Sequence, residues 1–368
     1  MSAGSGRPEA LPNHAGVSMY LDYYGLKEMP FRLSPDPDFQ FESGCHAKGR
    51  AYLDYALMTG EGFVVLTGEV GAGKTTLVQR LLADWQGDAV FLLLEQTQLT
   101  PVELLQAILV QLTGTPVPED GKVELLRRLR LELRRVVASG RRVVLCVDEA
   151  QALSFPVLEE IRFLTAMEQD KQQLLNVILV GQPELREVLD APGMEQLRQR
   201  VRVRFHLEGL TPDEISAYVL HRLRVAGAAE PSRLFAGTAW RAVHLYTGGI
   251  PRLVNTLCNM VLLRGMLGGK KMIAAETVLE TVTELGWRPY KERGSGGVTW
   301  LPRGLSRGHP TGEANAGSDD GALPGSDGLE RRLAEVARHL ERIAVALERD
   351  SEPLGVDKPT SVKKKSSP

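Results

Sequence analysis

The chain has 368 residues, 43% of them hydrophobic and 24% charged, a composition typical of a soluble globular protein of about two to three domains. Its formal net charge of −2 excludes binding to nucleic acid or an anionic membrane through overall charge. Cys45, Cys146 and Cys258 lie far apart, which excludes a disulfide framework, and no apolar run reaches about 18 residues. The N-terminal sequence also lacks the pattern of a signal peptide, and together these features predict a cytoplasmic protein. Peripheral contact with the inner face of the cytoplasmic membrane stays open as an alternative.

The first predicted elements lead up to a buried strand. Residues 1–17 are predicted to be disordered. Residues 18–42, rich in aromatic residues and prolines, are predicted to form an ordered but irregular segment. A helix is predicted over 45–60, and the apolar run at 62–67 predicts a strand that feeds a glycine-rich turn.

That turn, GEVGAGKTT, has the spacing of a phosphate-binding loop: Gly68, four residues, then Gly73, Lys74 and Thr75. Its glycines let backbone N–H groups converge on a phosphate, and the helix that begins there adds the positive end of its dipole. Lys74 is expected to contact the β- and γ-phosphates, and the Thr75 hydroxyl to be a ligand of Mg²⁺. The predicted nucleotide-binding residues are Gly68, Glu69, Val70, Gly71, Ala72, Gly73, Lys74, Thr75 and Thr76.

A second motif, RRVVLCVDEAQ, spans residues 141–151. Its consecutive apolar residues, most of them β-branched, predict a strand over 143–148 that is buried on both faces of a parallel sheet. Asp148 at the end of this strand is expected to hold the Mg²⁺ shell, and Glu149 to polarise a water for attack on the γ-phosphate. Alternatively, both carboxylates only cap the next helix, which the phosphate-binding loop makes the weaker interpretation.

Strands and helices alternate through this region, which predicts an α/β fold with a doubly wound parallel sheet over residues 18–208. One strand separates the strands of the two motifs in sequence, and a glutamate follows the aspartate. Together these favour a P-loop NTPase of the additional-strand class. The other predicted strands are 89–95, 174–181 and 201–207, and the other predicted helices are the phosphate-loop helix to about 86, then 101–113, 122–138 and 155–168.

Residues 209–288 have a helical pattern and predict a small C-terminal lid domain. Thr211 and Glu214 form a capping box, with Pro212 at the first helical position, which begins a helix that runs to about residue 226. Three more helices are predicted at about 235–247, 251–267 and 273–285.

The composition changes again near the C-terminus. Ten of the 37 residues from 292 to 328 are glycine, and 289–327 is predicted to be a flexible linker. An apolar heptad seam predicts a short coiled-coil helix over 328–349, which pairs with another copy or a partner, or else lies alone on the ATPase domain or a membrane surface. Residues 350–368 are predicted to be a disordered basic tail. The seam residues are Leu329, Leu333, Val336, Leu340, Ile343 and Leu347.

The motifs, in this order, resemble the AAA+ ATPases of the general secretion pathway protein A (ExeA-like) type. The resemblance runs from about Met19 to Trp287 and is closest to the branch encoded with exosortase and exopolysaccharide gene clusters. It rests on the segments MYLDYYGLKEMPFRLSPDPDF, GEGFVVLTGEVGAGKTTL, VVLCVDEAQAL, ILVGQPEL, QLRQRV and TGGIPRLVNTLC. Full-length members of that type continue into a transmembrane helix and a periplasmic domain, whereas a linker and a heptad seam follow here, which favours a cytoplasmic accessory to envelope export.

The resemblance implies ATP and Mg²⁺ as cofactors, ATP hydrolysis as the activity, and further residue roles. The proline-rich N-terminal segment would cover the adenine, Gln182 falls at the sensor-1 position, and Arg252 matches the sensor-2 arginine of the lid. Arg200 is similar to the arginine that reaches a neighbouring subunit's γ-phosphate, with Arg198 as second choice. Such arginines stabilise charge that builds in the transition state. The implied partners are further copies of the chain in a ring and protein components of an envelope export complex.

Two alternatives remain open. One is a DNA-linked AAA+ ATPase of the transposition type, suggested by an arginine-rich helix at 122–138; its apolar face and its glutamates favour a solvated amphipathic helix instead. The other is a regulatory switch that binds ATP without turnover, against which Lys74, Asp148 and Glu149 argue. The arginines of the helix are Arg127, Arg128, Arg130, Arg134 and Arg135.

Overall fold

A five-stranded parallel sheet lies at the centre of the protein. The computed structural model describes residues 15–34, 36–60, 62–117, 121–169 and 172–293. All strand pairings within this sheet are parallel, which confirms the predicted α/β fold. The sheet strands are β1 (Phe63–Gly68), β2 (Ala89–Leu94), β3 (Arg142–Val147), β6 (Asn176–Gly181) and β7 (Val203–Leu207), in the spatial order β2–β3–β6–β1–β7, while β4 (Glu168–Gln169) and β5 (Gln172–Gln173) form a separate short hairpin.

Both faces of this sheet are covered by helices. Successive residues of a strand point to opposite faces, so Val65 and Leu145 lie in one apolar core, and Leu66 and Cys146 in the other. Burial on both faces explains why the strand sequences are continuously apolar rather than alternating. The first core also contains helices α4 (Pro101–Thr113), α5 (Lys122–Ala138), α6 (Phe155–Thr165), α7 (Glu184–Asp190) and α8 (Glu195–Arg200), and the second contains α2 (Gly44–Thr59) and α3 (Lys74–Asp84).

A helical lid follows the sheet domain, as predicted. Its first helix begins with the predicted capping box, in which Thr211 Oγ1 accepts a hydrogen bond from Glu214 N at 3.3 Å and the Glu214 carboxylate accepts one from Thr211 N at 3.0 Å. Glu214 also accepts a hydrogen bond from Gly44 N at 2.8 Å, so one carboxylate caps α2 and the first lid helix together. The lid helices are α9 (Pro212–Val225), α10 (Ala239–Thr247), α11 (Pro251–Leu267) and α12 (Ala275–Glu284).

The N-terminal segment differs from the prediction in two ways. Helix α1 (Ala15–Tyr24) begins inside the stretch predicted to be disordered and continues into the one predicted to be irregular. In addition, Tyr20, Phe31 and Phe39 are buried in the core of the lid rather than that of the sheet domain to which residues 18–208 were assigned. The reason is that the apolar surface matching these aromatic side chains lies on helices about 200 residues further along the chain.

Order at the end of the lid extends beyond the predicted boundary at residue 289. Arg293 Nη2 donates a hydrogen bond to the Tyr246 carbonyl at 2.9 Å, and its guanidinium lies 4.5 Å from the centre of the Trp287 ring. The start of the predicted linker is therefore packed on the lid. The rest of that linker, the predicted coiled coil and the predicted basic tail lie outside the described residues. Within the residues that the structure describes, no helix combines the length and apolarity needed to cross a membrane.

Candidate nucleotide site

Most of the predicted site residues meet at the carboxyl edge of the sheet. Strand β6 lies between β1 and β3, so Gly68 at the end of β1, Asp148 after β3 and Gln182 after β6 follow three neighbouring strands. In parallel sheets this edge is where loops converge and ligands bind. A cavity of about 480 Å³ opens there, lined by the phosphate-binding loop, the N-terminal segment and the lid. Its volume suits a small-molecule ligand.

The phosphate-binding loop is packed so closely that two of its glycines have no room for a side chain. Gly71 and Gly73 have left-handed φ angles of 80° and 99°. A Cβ on Gly71 would lie 2.4 Å from the Cβ of Arg252, and one on Gly73 would lie 2.6 Å from Nε2 of His46. The lid and helix α2 therefore support the loop from two directions, which fixes the backbone that must present N–H groups to a phosphate.

Lys74 is buried at the start of α3, with 7% of its surface exposed. Its ammonium donates hydrogen bonds to the carbonyls of Gly68 at 2.8 Å and Glu69 at 3.1 Å. Burial lowers the pKa of Lys74, and the nearby charges of Glu149 and Asp148 partly offset that effect. Because an ammonium has three donors, one N–H remains for a phosphate oxygen.

The two predicted metal ligands are in direct contact. Thr75 Oγ1 donates a hydrogen bond to Asp148 Oδ2 at 3.0 Å, and Asp148 Oδ1 accepts one from the Glu149 backbone N–H at 2.9 Å. A hydroxyl and a carboxylate oxygen side by side fit Mg²⁺, which takes oxygen ligands and in nucleotide sites keeps only one or two from the protein. The donor set therefore fits the metal that the sequence implied.

Glu149 has a strained backbone and a carboxylate that accepts two hydrogen bonds. Its φ of 50° is the one positive value found at a non-glycine position in the described part of the chain, a conformation that costs about 1–3 kcal/mol. Glu149 Oε2 accepts hydrogen bonds from Gln151 Nε2 at 2.6 Å and from Gln182 Nε2 at 3.0 Å. Burial tends to raise the pKa of Glu149, but these bonds and the charge of Lys74 outweigh it and lower the pKa, so the carboxylate is ionised at neutral pH.

The lid contributes Arg252 to the cavity. Arg252 N donates a hydrogen bond to the Gly71 carbonyl at 3.3 Å, and its exposed side chain lines the cavity. No carboxylate of the described residues lies within 4.0 Å of this guanidinium. Gly248 and Gly249, which precede Arg252, allow the lid to approach the loop this closely. Leu210 N donates a hydrogen bond to the Gly249 carbonyl at 2.8 Å, and a Cβ on Gly249 would lie 1.9 Å from the Leu210 carbonyl oxygen.

Arg200 does not reach the cavity of its own chain. It ends helix α8, and its Nη1 lies 3.5 Å from the Thr165 carbonyl oxygen, with no carboxylate of the described residues within 4.0 Å. Arg198 and Arg204 both approach Asp190 Oδ1, at 3.8 and 3.6 Å. Of these three arginines, Arg200 is therefore the one without an anionic partner among the described residues.

Three residues that contact the site were not predicted. Gln151 orients Glu149, and His46 packs on Gly73, where burial lowers the pKa of the imidazole and favours its neutral form. Tyr290 packs on Gly248 from beyond the last lid helix, where burial and the nearby charge of Glu69 raise the pKa of its hydroxyl. Only Gln151, two residues after the predicted base, stood next to a recognised motif; the other two reach the loop through tertiary contacts that no local pattern indicates.

Comparisons with known proteins identify a family, a sequence relative and a structure of similar fold. The family described as AAA domain matches residues 57–189. The chain is 41% identical over 256 residues to general secretion pathway protein A of Aeromonas hydrophila, covering 69% of this chain and 46% of that protein, so it spans about half of that relative's length. The crystal structure of Cdc6p from Pyrobaculum aerophilum is similar in fold, with a TM-score of 0.51 and 20% identity over 69% of this chain and 70% of that one.

The similarity to the secretion pathway protein extends over 256 residues, more than two thirds of this chain. The similarity to Cdc6p extends only to the fold, because the identity is low. On these grounds the chain contains an AAA domain and is similar, over more than two thirds of its own length, to general secretion pathway protein A.

Proposed function

We propose that this ATPase hydrolyses ATP with Mg²⁺ at the cavity between sheet and lid, and that hydrolysis drives conformational change or assembly in an envelope export system. One observation carries the proposal: the Glu149 carboxylate, ionised and held by Gln151 and Gln182, lies next to the Asp148–Thr75 pair. A binding protein would not need a strained, oriented carboxylate at this position.

Each group of the chain has a part in this reaction. The backbone of the phosphate-binding loop and Lys74 would bind the β- and γ-phosphates, and Arg252 would contact the same phosphates from the lid. Thr75 and Asp148 would hold Mg²⁺, which neutralises charge on the phosphates when it is bound. Glu149 would accept the proton of the attacking water, and Gln182, which hydrogen-bonds to Glu149, would orient that carboxylate and the water.

The export role rests on the relative. The name of that relative, general secretion pathway protein A, assigns it to secretion, and the match covers 256 residues, 69% of this chain. A place beside exosortase and exopolysaccharide functions is our finer proposal, supported by the motif resemblance alone.

The DNA-linked alternative is weakened by α5, where Arg127 pairs with Glu124 at 2.7 Å and Arg135 with Glu132 at 3.0 Å, so part of the positive charge of this helix is neutralised locally.

Export should depend on turnover in the native host. Replacing Glu149 by glutamine in the chromosomal copy should lower the amount of exported envelope polysaccharide or secreted protein, because the chain can bind ATP but not complete the cycle. The measurement is exported product per cell, with the protein level checked by immunoblot and Glu187→Gln, an exposed carboxylate on α7, as the matched control. Normal export alongside a demonstrably inactive ATPase would contradict the export role.

We also propose that active sites are shared between subunits, with Arg200 supplied to the neighbour. Arg200→Ala should keep ATP affinity but lower kcat about a thousandfold, since an arginine acting in trans contributes roughly 10³–10⁵. Mixing Arg200→Ala with Lys74→Ala should partly restore turnover, because one interface then combines an intact loop with an intact arginine. Measurements of phosphate release across mixing ratios check this. A mixture no more active than the sum of its parts would exclude a trans arginine at position 200.

A further inference from the structure

Arg222 on lid helix α9 is a buried arginine that none of the roles above uses. It is 7% exposed and lines the nucleotide cavity. No carboxylate of the described residues lies within 4.0 Å of its guanidinium. A buried cation is costly unless it is paired or fully hydrogen-bonded, so its partners indicate why it is there.

Two of those partners are backbone carbonyls of the N-terminal segment. Arg222 Nε donates a hydrogen bond to the Pro30 carbonyl at 2.5 Å, and Nη2 donates one to the Arg32 carbonyl at 3.3 Å. The guanidinium also lies 4.9 Å from the centre of the Phe39 ring, which is a cation–π distance. Residues 30–34 and 36–41, here called the strap, are thus fastened to the lid by one side chain.

The strap is a wall of the nucleotide cavity. The side chains of Arg32, Phe39 and Phe41 line it, and Phe31 and Phe39 are buried in the lid core. The strap has little regular structure, a single 3₁₀ turn at Pro37–Phe39, so few backbone hydrogen bonds of its own hold its shape. The contacts with Arg222 therefore add to the packing of Phe31 and Phe39 in holding this wall in place.

The third partner connects the same arginine to the helix that carries Arg252. Arg222 Nη1 donates to Tyr218 Oη at 3.0 Å, and Tyr218 Oη donates to Asn255 Oδ1 at 2.7 Å. Asn255 is on α11, three residues after Arg252 and on the same side of the helix. Strap, α9 and α11 are therefore joined by one chain of buried hydrogen bonds that is centred on Arg222.

We propose that Arg222 is a positioning residue for nucleotide binding. It fastens the strap to the lid and so forms the wall of the cavity on the side away from the phosphate-binding loop. This inference rests on the proposed binding of ATP in the cavity. Because the guanidinium donates to two strap carbonyls and to Tyr218 in a fixed fork, a lysine could satisfy only part of the set. If the contacts of Arg222 were needed only for folding, their loss would change the stability of the protein but not the affinity of the folded protein for ATP.

Four variants of the full chain test this: Arg222→Met, Arg222→Lys, Tyr218→Phe and the control Arg224→Met, which changes an exposed arginine on the same helix. Tyr218→Phe keeps the ring but removes the hydroxyl that links Arg222 to Asn255, so it separates the link to α11 from the link to the strap. The measurements are KM and kcat for ATP, and amide hydrogen exchange of residues 30–41 with and without ATP.

We expect Arg222→Met to raise KM about tenfold with kcat changed less, and to speed exchange in the strap even without nucleotide. Arg222→Lys should recover part of the affinity, and Tyr218→Phe should leave exchange in the strap close to that of the wild type. If the wild type binds ATP and folded Arg222→Met shows an unchanged KM, the proposed role of Arg222 is overturned while the proposed function stands. If the wild type binds no ATP, the proposed function fails and this inference fails with it. Should Arg222→Met not fold, unchanged KM and unchanged strap exchange in Arg222→Lys would overturn the proposal.

Discussion

Replacing Glu149 by glutamine is expected to lower kcat for ATP hydrolysis at least about a hundredfold, because a positioned general base contributes roughly 10²–10⁴ in rate. The affinity for ATP should stay close to that of the wild type, since the substituted amide keeps the shape of the carboxylate and can still accept hydrogen bonds from Gln151 and Gln182. Steady-state phosphate release and ATP binding, measured separately on the full chain, check the two parts of this expectation.

The matched control for this change is Glu187→Gln, which removes an exposed carboxylate on α7 that does not line the cavity. It should leave both kcat and affinity unchanged. A Glu149→Gln protein that turns over at nearly the wild-type rate would remove Glu149 from the mechanism. A protein that loses ATP affinity in proportion to kcat would show that Glu149 organises the cavity and does not act on the water.

Lys74→Ala is expected to weaken ATP binding about a hundredfold, which corresponds to about 2.8 kcal/mol. The reason is the loss of the charge-assisted hydrogen bond from the remaining N–H to a phosphate oxygen, worth about 1.5–3 kcal/mol, together with the attraction of the ammonium charge for the phosphates. Since a ligand stabilises the state that it binds, ATP at about 100 Kd should raise the unfolding free energy of the wild type by about 2.7 kcal/mol. In Lys74→Ala the same ATP concentration should produce a much smaller rise.

Thermal unfolding with and without ATP measures this difference, and Lys48→Ala, an exposed lysine on α2, is the control. Without nucleotide, Lys74→Ala should unfold at a temperature near that of the wild type, because the ammonium bonds only two loop carbonyls that water can then reach. An ATP-induced shift equal to that of the wild type would mean that Lys74 does not bind the phosphates.

Much of the fold followed from local patterns. Continuous apolar runs such as 143–147 predicted strands buried on both faces, and the capping box at Thr211 and Glu214 marked the start of the first lid helix to the residue. Helices α7 and α8 were missed because they are short and mostly polar. The carboxyl edge of the sheet could also be predicted, since Gly68, Asp148 and Gln182 each stand at or just after the end of a strand, and parallel strands end at the same edge of a sheet.

What could not be predicted depends on contacts between distant parts of the chain. No periodicity indicates that Phe31 and Phe39 pack on the lid, or that Arg222 hydrogen-bonds to a carbonyl 192 residues away. The left-handed backbone at Glu149 is also invisible in sequence, because glutamate has no preference for it and the surrounding structure enforces it. Tertiary context decides such features, and they concentrate around the cavity.

The measurement that tests the central claim most directly is phosphate release from ATP by the full chain, with Mg²⁺ and with excess EDTA, over a wide range of protein concentrations. The proposed site predicts turnover that requires Mg²⁺, rises in specific activity as subunits associate, and is lost in both Lys74→Ala and Glu149→Gln. Saturable ATP binding with no hydrolysis above the rate in buffer, at any protein concentration, would contradict it.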